Sequence, residues 1–240
     1  MAGKHLQFLD HEQQLVAGVE KLADEKWNLN DWGINYNVVA IGGQPGSGKS
    51  TLANALFGAE FPVLTEGGEQ PTTKGVWIST AANSKTLVMD TEIAELNVDQ
   101  SLWTSKLSST TFTAATASVF IFNVQKSLVE NDSNGIISFL LGKIYAAHLA
   151  MFGQRHKTMI LFAVRNCSDE TSKESLTSTL DKRIKSAWKK VKKPNGLENS
   201  AVDDIFDYDV ITLPSKIASP NEFDTAVDKL RGRYDAIYIR

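Results

Sequence analysis

The sequence predicts an α/β fold: three layers built on a mostly parallel sheet, with one antiparallel hairpin and an N-terminal helix packed against it. Three observations predict this. From Tyr36 onward, short β-branched runs alternate with longer helical stretches, the pattern of a sheet covered on both faces. The second and third runs, 75–80 and 85–90, are joined by only Ala81-Ala82-Asn83-Ser84. That link is too short for a crossover helix, so the pair is antiparallel. The first run, Asn37-Val38-Val39-Ala40-Ile41, leads into Gly43-Gln44-Pro45-Gly46-Ser47-Gly48-Lys49-Ser50 and then a helical run starting Thr51-Leu52-Ala53.

Taken in order, residues 12–26 carry Leu15, Val16, Val19 and Leu22 at helical spacing, predicting an amphipathic helix that covers the core. Strands are expected at 37–42, 75–80, 85–90, 118–124, 157–165 and 208–213. Helices are expected at 49–57, 100–116, 134–152, 173–191 and 221–237. Two loops stand out: 59–73, rich in Gly and Glu, and 193–204, which is polar. With no repeat and no linker, residues 1–35 read as a helical extension packed on a nucleotide-binding domain of residues 36–240.

Composition narrows the function. A net charge of −3 at pH 7 gives no electrostatic footprint for nucleic acid. The one cysteine, Cys167, allows no disulfide within the chain and fits a reducing compartment. The N-terminus does not read as a secretion signal. No apolar run approaches the ~20 residues that span a bilayer, so membrane attachment is expected only through a partner or through segments absent from these residues.

The pattern G-x-x-x-x-G-K-S between a strand and a helix is a phosphate loop. Its glycines let backbone N–H groups approach a polyphosphate, and the following helix turns its positive end toward the anion. Gly43, Gln44, Pro45, Gly46, Ser47, Gly48, Lys49, Ser50 and Thr51 are therefore the expected phosphate contacts, with Lys49 reaching the terminal phosphates and Ser50 offering an oxygen to Mg²⁺. Loop, helix, then a hairpin whose second strand ends in aspartate is the order of a small-GTPase-like P-loop domain. Asp90, at the end of Leu87-Val88-Met89-Asp90, is expected to hold Mg²⁺ through water; the plainer reading is a helix N-cap or turn aspartate. Thr72 and Thr73 close the 59–73 loop. Either could cover the metal when a triphosphate binds, and spacing alone does not choose. Arg165-Asn166 ends the fifth strand, where α/β sheets bind ligands, and is expected to meet the base. Cys167 reads as a buried, inert thiol. The Lys-rich stretch 182–193 reads as a solvated face above Ile184, Trp188 and Val191.

Several blocks together resemble a known family. They are Asp31-Trp32-Gly33, Asn35-Tyr36-Asn37-Val38-Val39-Ala40, Gly48-Lys49-Ser50-Thr51-Leu52, Leu56-Phe57-Gly58, Pro71-Thr72-Thr73-Lys74-Gly75-Val76-Trp77 and Leu161-Phe162-Ala163-Val164-Arg165-Asn166. The chain resembles the GTPase domain of the dynamin-superfamily proteins that fuse endoplasmic reticulum membranes, the plant root-hair-defective type and its yeast and protist counterparts. The resemblance implies GTP and GDP as ligands, Mg²⁺, GTP hydrolysis, a nucleotide-dependent homodimer, and a place on the cytosolic face of the endoplasmic reticulum for the longer protein. It also selects Thr73 for the metal, so that Lys49, Ser50 and Thr73 become the expected catalytic residues, and Ser50, Thr73 and Asp90 the metal site.

Three departures bear on the chemistry. Where the family has D-x-E-G, this chain has Asp90-Thr91-Glu92-Ile93. Where it reads guanine with arginine-aspartate, this chain has Arg165-Asn166, with Asp169 close behind. An amide offers one acceptor where guanine presents two donors, whereas a carboxylate accepts both. The phosphate loop also lacks an arginine, so hydrolysis is expected to be slow without an outside cation. A nucleotide-binding scaffold with little turnover and relaxed base choice is the competing expectation.

Overall fold

The computed structural model describes residues 5–63, 74–93, 100–132, 135–167 and 172–238. Seven strands form one sheet: β1 (His5–Leu9), β2 (Asn37–Gly43), β3 (Val76–Thr80), β4 (Thr86–Glu92), β5 (Val119–Gln125), β6 (Thr158–Arg165) and β7 (Phe206–Leu213). Among the described residues, seven α-helices surround it: α1 (Val19–Trp27), α2 (Lys49–Phe57), α3 (Gln100–Thr116), α4 (Lys126–Glu130), α5 (Ile136–Phe152), α6 (Ser172–Lys190) and α7 (Pro220–Tyr238). Strand order is β1-β3-β4-β2-β5-β6-β7. The pairings from β4 through β2, β5 and β6 to β7 are parallel, and β3 pairs antiparallel with β4 as the short link requires.

Side chains alternate between two cores, as a strand's period of two demands. Val39 and Ile41 of β2, Val119 and Ile121 of β5, and Leu161 and Ala163 of β6 face one side, with α2 and α7. Ala40, Phe120, Phe122, Ile160, Phe162 and Val164 face the other, with α3, α5 and α6. On that side the rings of Phe122 and Phe162 lie 5.6 Å apart across neighbouring strands.

The N-terminal segment departs from expectation. A strand, β1, precedes the helix and adds a second antiparallel pair by joining the edge of β3. The helix begins at Val19 rather than residue 12. Asp10 explains the delay: its Oδ1 accepts the amide N–H groups of Glu12 and Gln14 at 2.8 and 2.9 Å, folding the chain into a turn. Of the expected buried stripe, Val19 is buried, whereas Leu15 and Leu22 are exposed and Ala23 is buried in their place.

Candidate functional site

Parallel strands β2, β4, β5 and β6 all point their carboxyl ends toward the residues that the sequence singled out. Backbone crowding shows why the loop after β2 begins with glycine. A Cβ on Gly43 would stand 2.6 Å from the Ser47 Oγ and 2.8 Å from the Asn123 carbonyl oxygen. The loop is braced from below by two side chains. From the end of β5, the Asn123 amide donates to both the carbonyl and the hydroxyl of Ser47 at 3.0 Å. From the end of β6, Arg165 donates to the Gly48 carbonyl at 3.5 Å and lies over the Phe223 ring, 5.0 Å from its centre. Arg165 is buried, and burial pulls its pKa down. Its guanidinium is thus a cation set beneath the phosphate loop, and it favours an anion above.

At the start of α2, Lys49 and Ser50 are both buried. The Ser50 hydroxyl donates to Asp90 Oδ2 at 2.5 Å, joining the loop to the end of β4. Lys49 Nζ stands 3.9 Å from Glu92 Oε1, and Lys106 of α3 stands 2.9 Å from Glu92 Oε2. Above these groups opens a cleft of about 860 Å³, walled by the loop and α2 on one side and by Gln125, Arg165, Asn166 and Ser215-Lys216-Ile217 on the other. This size suits a nucleotide-sized ligand.

Asn166 is exposed at the cleft with φ of +63°, a backbone region that asparagine tolerates better than most residues. Its neighbour Arg165 lines the cleft but commits its guanidinium to Gly48 and Phe223 rather than to the outer wall. Thr51 lines the cleft too. Thr72, Thr73 and Asp169 lie outside the described residues. Ile93, which stands where the family has glycine, is buried, and its N–H donates to the Gly43 carbonyl at 3.0 Å. That amide is already spent within the sheet. Cys167 is buried with its thiol directed at the Val164 carbonyl, 3.5 Å away. On α6, Ile184 and Trp188 are buried beneath the lysines as expected.

The block around Lys74 also acquires a physical reason. Its carbonyl accepts the Trp77 indole N–H and the Gln7 amide, each at 3.0 Å. A Cβ on Gly75 would lie 2.1 Å from the Leu9 carbonyl oxygen, so only glycine lets β1 pass. From within α2, the Asn54 amide donates to the Phe61 carbonyl and accepts the Phe61 N–H, both at 2.9 Å.

The sequence reading did not pick out Asn123, Lys106 or the 215–217 loop. Asn123 had a signal: like Asp90, it is a polar residue closing an apolar parallel strand.

A model of the GTPase domain of the Root hair defective 3 GTP-binding protein (RHD3) matches residues 41–238. The chain belongs to the RHD3 GTPase-domain family. It is 36% identical over 239 residues to Protein SEY1 of Mycosarcoma maydis, covering 95% of this chain and 28% of that protein. It is 34% identical over 210 residues to Protein sey1 of Schizosaccharomyces japonicus, covering 86% and 27%. Among solved structures it is similar to Aquifex aeolicus Era bound to GDP·AlF4⁻, at 14% identity and a TM-score of 0.41, covering 82% of this chain and 56% of that one. This RHD3-type chain thus spans under a third of the length of these curated relatives. Among the described residues, no helix is long and apolar enough to cross a membrane.

Proposed function

We propose that this RHD3-type domain binds GTP and GDP with Mg²⁺ and hydrolyses GTP. The work falls to residues 36–240, with β1 and α1 as a flank that extends the sheet. The observation that carries this reading is the buried pair of Lys49 and Ser50 at the start of α2, with Ser50 bonded to Asp90. A hydroxyl and a carboxylate are the hard oxygen donors that suit Mg²⁺, so Ser50 and Asp90, with Thr73, would hold the ion. Bound there, magnesium would spread the charge that develops on the phosphoryl oxygens.

The chain's own groups do the rest. Backbone N–H groups of Gly46 and of residues 48–51 orient the phosphates, Lys49 stabilises developing negative charge, and Arg165 adds a cation below the loop. With no arginine in the loop and the Ile93 amide given to Gly43, turnover without an added cation is slow. Membership of a GTPase-domain family favours an enzyme over the non-hydrolysing scaffold. At the base, Asn166 and the 215–217 loop face the ring. In the longer protein, the family resemblance supports a nucleotide-dependent homodimer and a role in endoplasmic reticulum membrane fusion from the cytosolic face.

Calorimetry with GTP, GDP and ATP, with and without Mg²⁺, tests the binding, and single-turnover phosphate release tests the chemistry. Guanine nucleotide binding that strengthens with Mg²⁺, followed by phosphate release, is expected. A chain that binds none of the three would refute the site.

A further inference from the structure

Three charges meet beside the phosphate loop, those of Lys49, Glu92 and Lys106, and only Lys49 has a purpose so far. Glu92 at the end of β4 is buried, with a side chain 7% exposed. It stands between two ammonium groups: Lys106 of α3, at hydrogen-bond distance from Oε2, and Lys49, facing Oε1. The separation of 3.9 Å on the Lys49 side is an ion-pair distance and too long for a hydrogen bond. Indeed Oε1 is buried without any hydrogen bond. Helix α3 grips the same residue a second time, since the Thr110 hydroxyl donates to the Glu92 carbonyl at 3.2 Å.

The arrangement poses a problem of charge balance. Before a nucleotide arrives, Lys49 is attracted to Glu92. An incoming diphosphate must draw that ammonium toward its own oxygens. Were Lys49 the sole partner of Glu92, its departure would strand a buried carboxylate, which is strongly unfavourable. Glu92 would then compete with the ligand for Lys49. Lys106 removes the conflict by holding the carboxylate itself.

We propose that Lys106 is a positioning residue for nucleotide capture: by keeping Glu92 paired, it releases Lys49 to the terminal phosphates of a nucleoside di- or triphosphate. This rests on the reading that Lys49 meets those phosphates. The role belongs to the α3 lysine, outside the phosphate-loop motif, and it is one of charge exchange rather than direct contact.

The test is GDP affinity by calorimetry in the wild-type chain and in Lys106→Met, Lys106→Arg, Glu92→Gln and the Glu92→Gln/Lys106→Met double variant. Lys106→Met is expected to weaken GDP binding about tenfold or more. Lys106→Arg should retain affinity, because a guanidinium pairs a carboxylate equally well. The double variant should regain affinity, since no carboxylate is left to hold Lys49. A merely structural lysine would not be rescued by neutralising its partner. Wild-type affinity in Lys106→Met, or a loss that persists in the double variant, overturns the proposal. Should Lys106→Met fail to fold by circular dichroism, Lys106→Gln takes its place, removing the charge while keeping a donor near Oε2: weakened GDP binding that recovers in Glu92→Gln/Lys106→Gln supports the exchange, and unchanged binding, or a loss that persists in that double variant, overturns it. Absence of GDP binding by the wild-type chain would overturn the nucleotide reading and this one together. Normal wild-type binding with an indifferent Lys106→Met removes this one alone.

Discussion

The two ends of the cleft are built differently. At the phosphate end, Ser47, Lys49, Ser50, Asp90 and Asn123 are all buried and tied to one another or to neighbouring strands. At the outer end, Asn166 is exposed and Ile217 is 98% exposed, on loops that follow two different strands. The contrast separates two tasks. Holding a polyphosphate requires donors and cations fixed in advance, because reorganising them would offset the binding energy. On the proposed reading, a base would meet exposed groups on separate loops, which can settle around the ring once the anion is anchored.

Lys49→Ala attacks the rigid end and should have the largest effect. Losing a charge-assisted contact to phosphate is expected to weaken GDP binding about a hundredfold or more without unfolding the chain. Calorimetry alongside thermal unfolding checks this, and undiminished affinity would place the anion elsewhere. The outer end should respond in selectivity rather than in gross affinity. Asn166→Asp supplies the second acceptor for guanine and is expected to raise the GTP-over-ATP preference about ten- to hundredfold. An unaltered ratio in a competition assay would remove Asn166 from the base.

Asn123→Ala sharpens the comparison from beneath. It deletes two hydrogen bonds to Ser47 and should cost about 1–2 kcal/mol of stability, read as a lower urea midpoint, with a smaller loss of GDP affinity. The smallest effect lies far from the cleft. His148 is buried, with Nε2 2.8 Å from the His156 carbonyl. Burial holds its pKa below the ordinary 6.5, and the nearby His156 ring pushes the same way against that hydrogen bond. The unfolded chain therefore takes up this proton first, so stability should fall as pH drops below about 6.5. Urea midpoints between pH 7.5 and 5 should decline less steeply in His148→Gln.

What could be read from sequence follows the same divide. The phosphate loop is contiguous, so its eight residues carry their own context, and Asp90 could be placed by strand order alone. Beyond residue 36, the expected strands and long helices all form, with ends within two residues of expectation, because period-two and period-3.6 burial dominate there. The failures are nonlocal. His5-Leu6-Gln7-Phe8-Leu9 becomes a strand only because the β3 edge lies beside it. The Asp10 turn outweighs the helical spacing of Leu15 and Leu22. Ser215-Lys216-Ile217 and Lys106 carry no motif, and their importance arises from what the fold sets opposite them.

The stretch that runs from α2 to β3 enters and leaves between two moorings. On one side Asn54 clasps Phe61 by both its main-chain groups, and on the other the Lys74 carbonyl is taken by Gln7 and Trp77. The two posts fix where the chain leaves α2 and where it enters β3. One post leans on β1, so clipping the first strand would take the Gln7 bond from the Lys74 carbonyl while leaving the Asn54 clasp on the far side untouched.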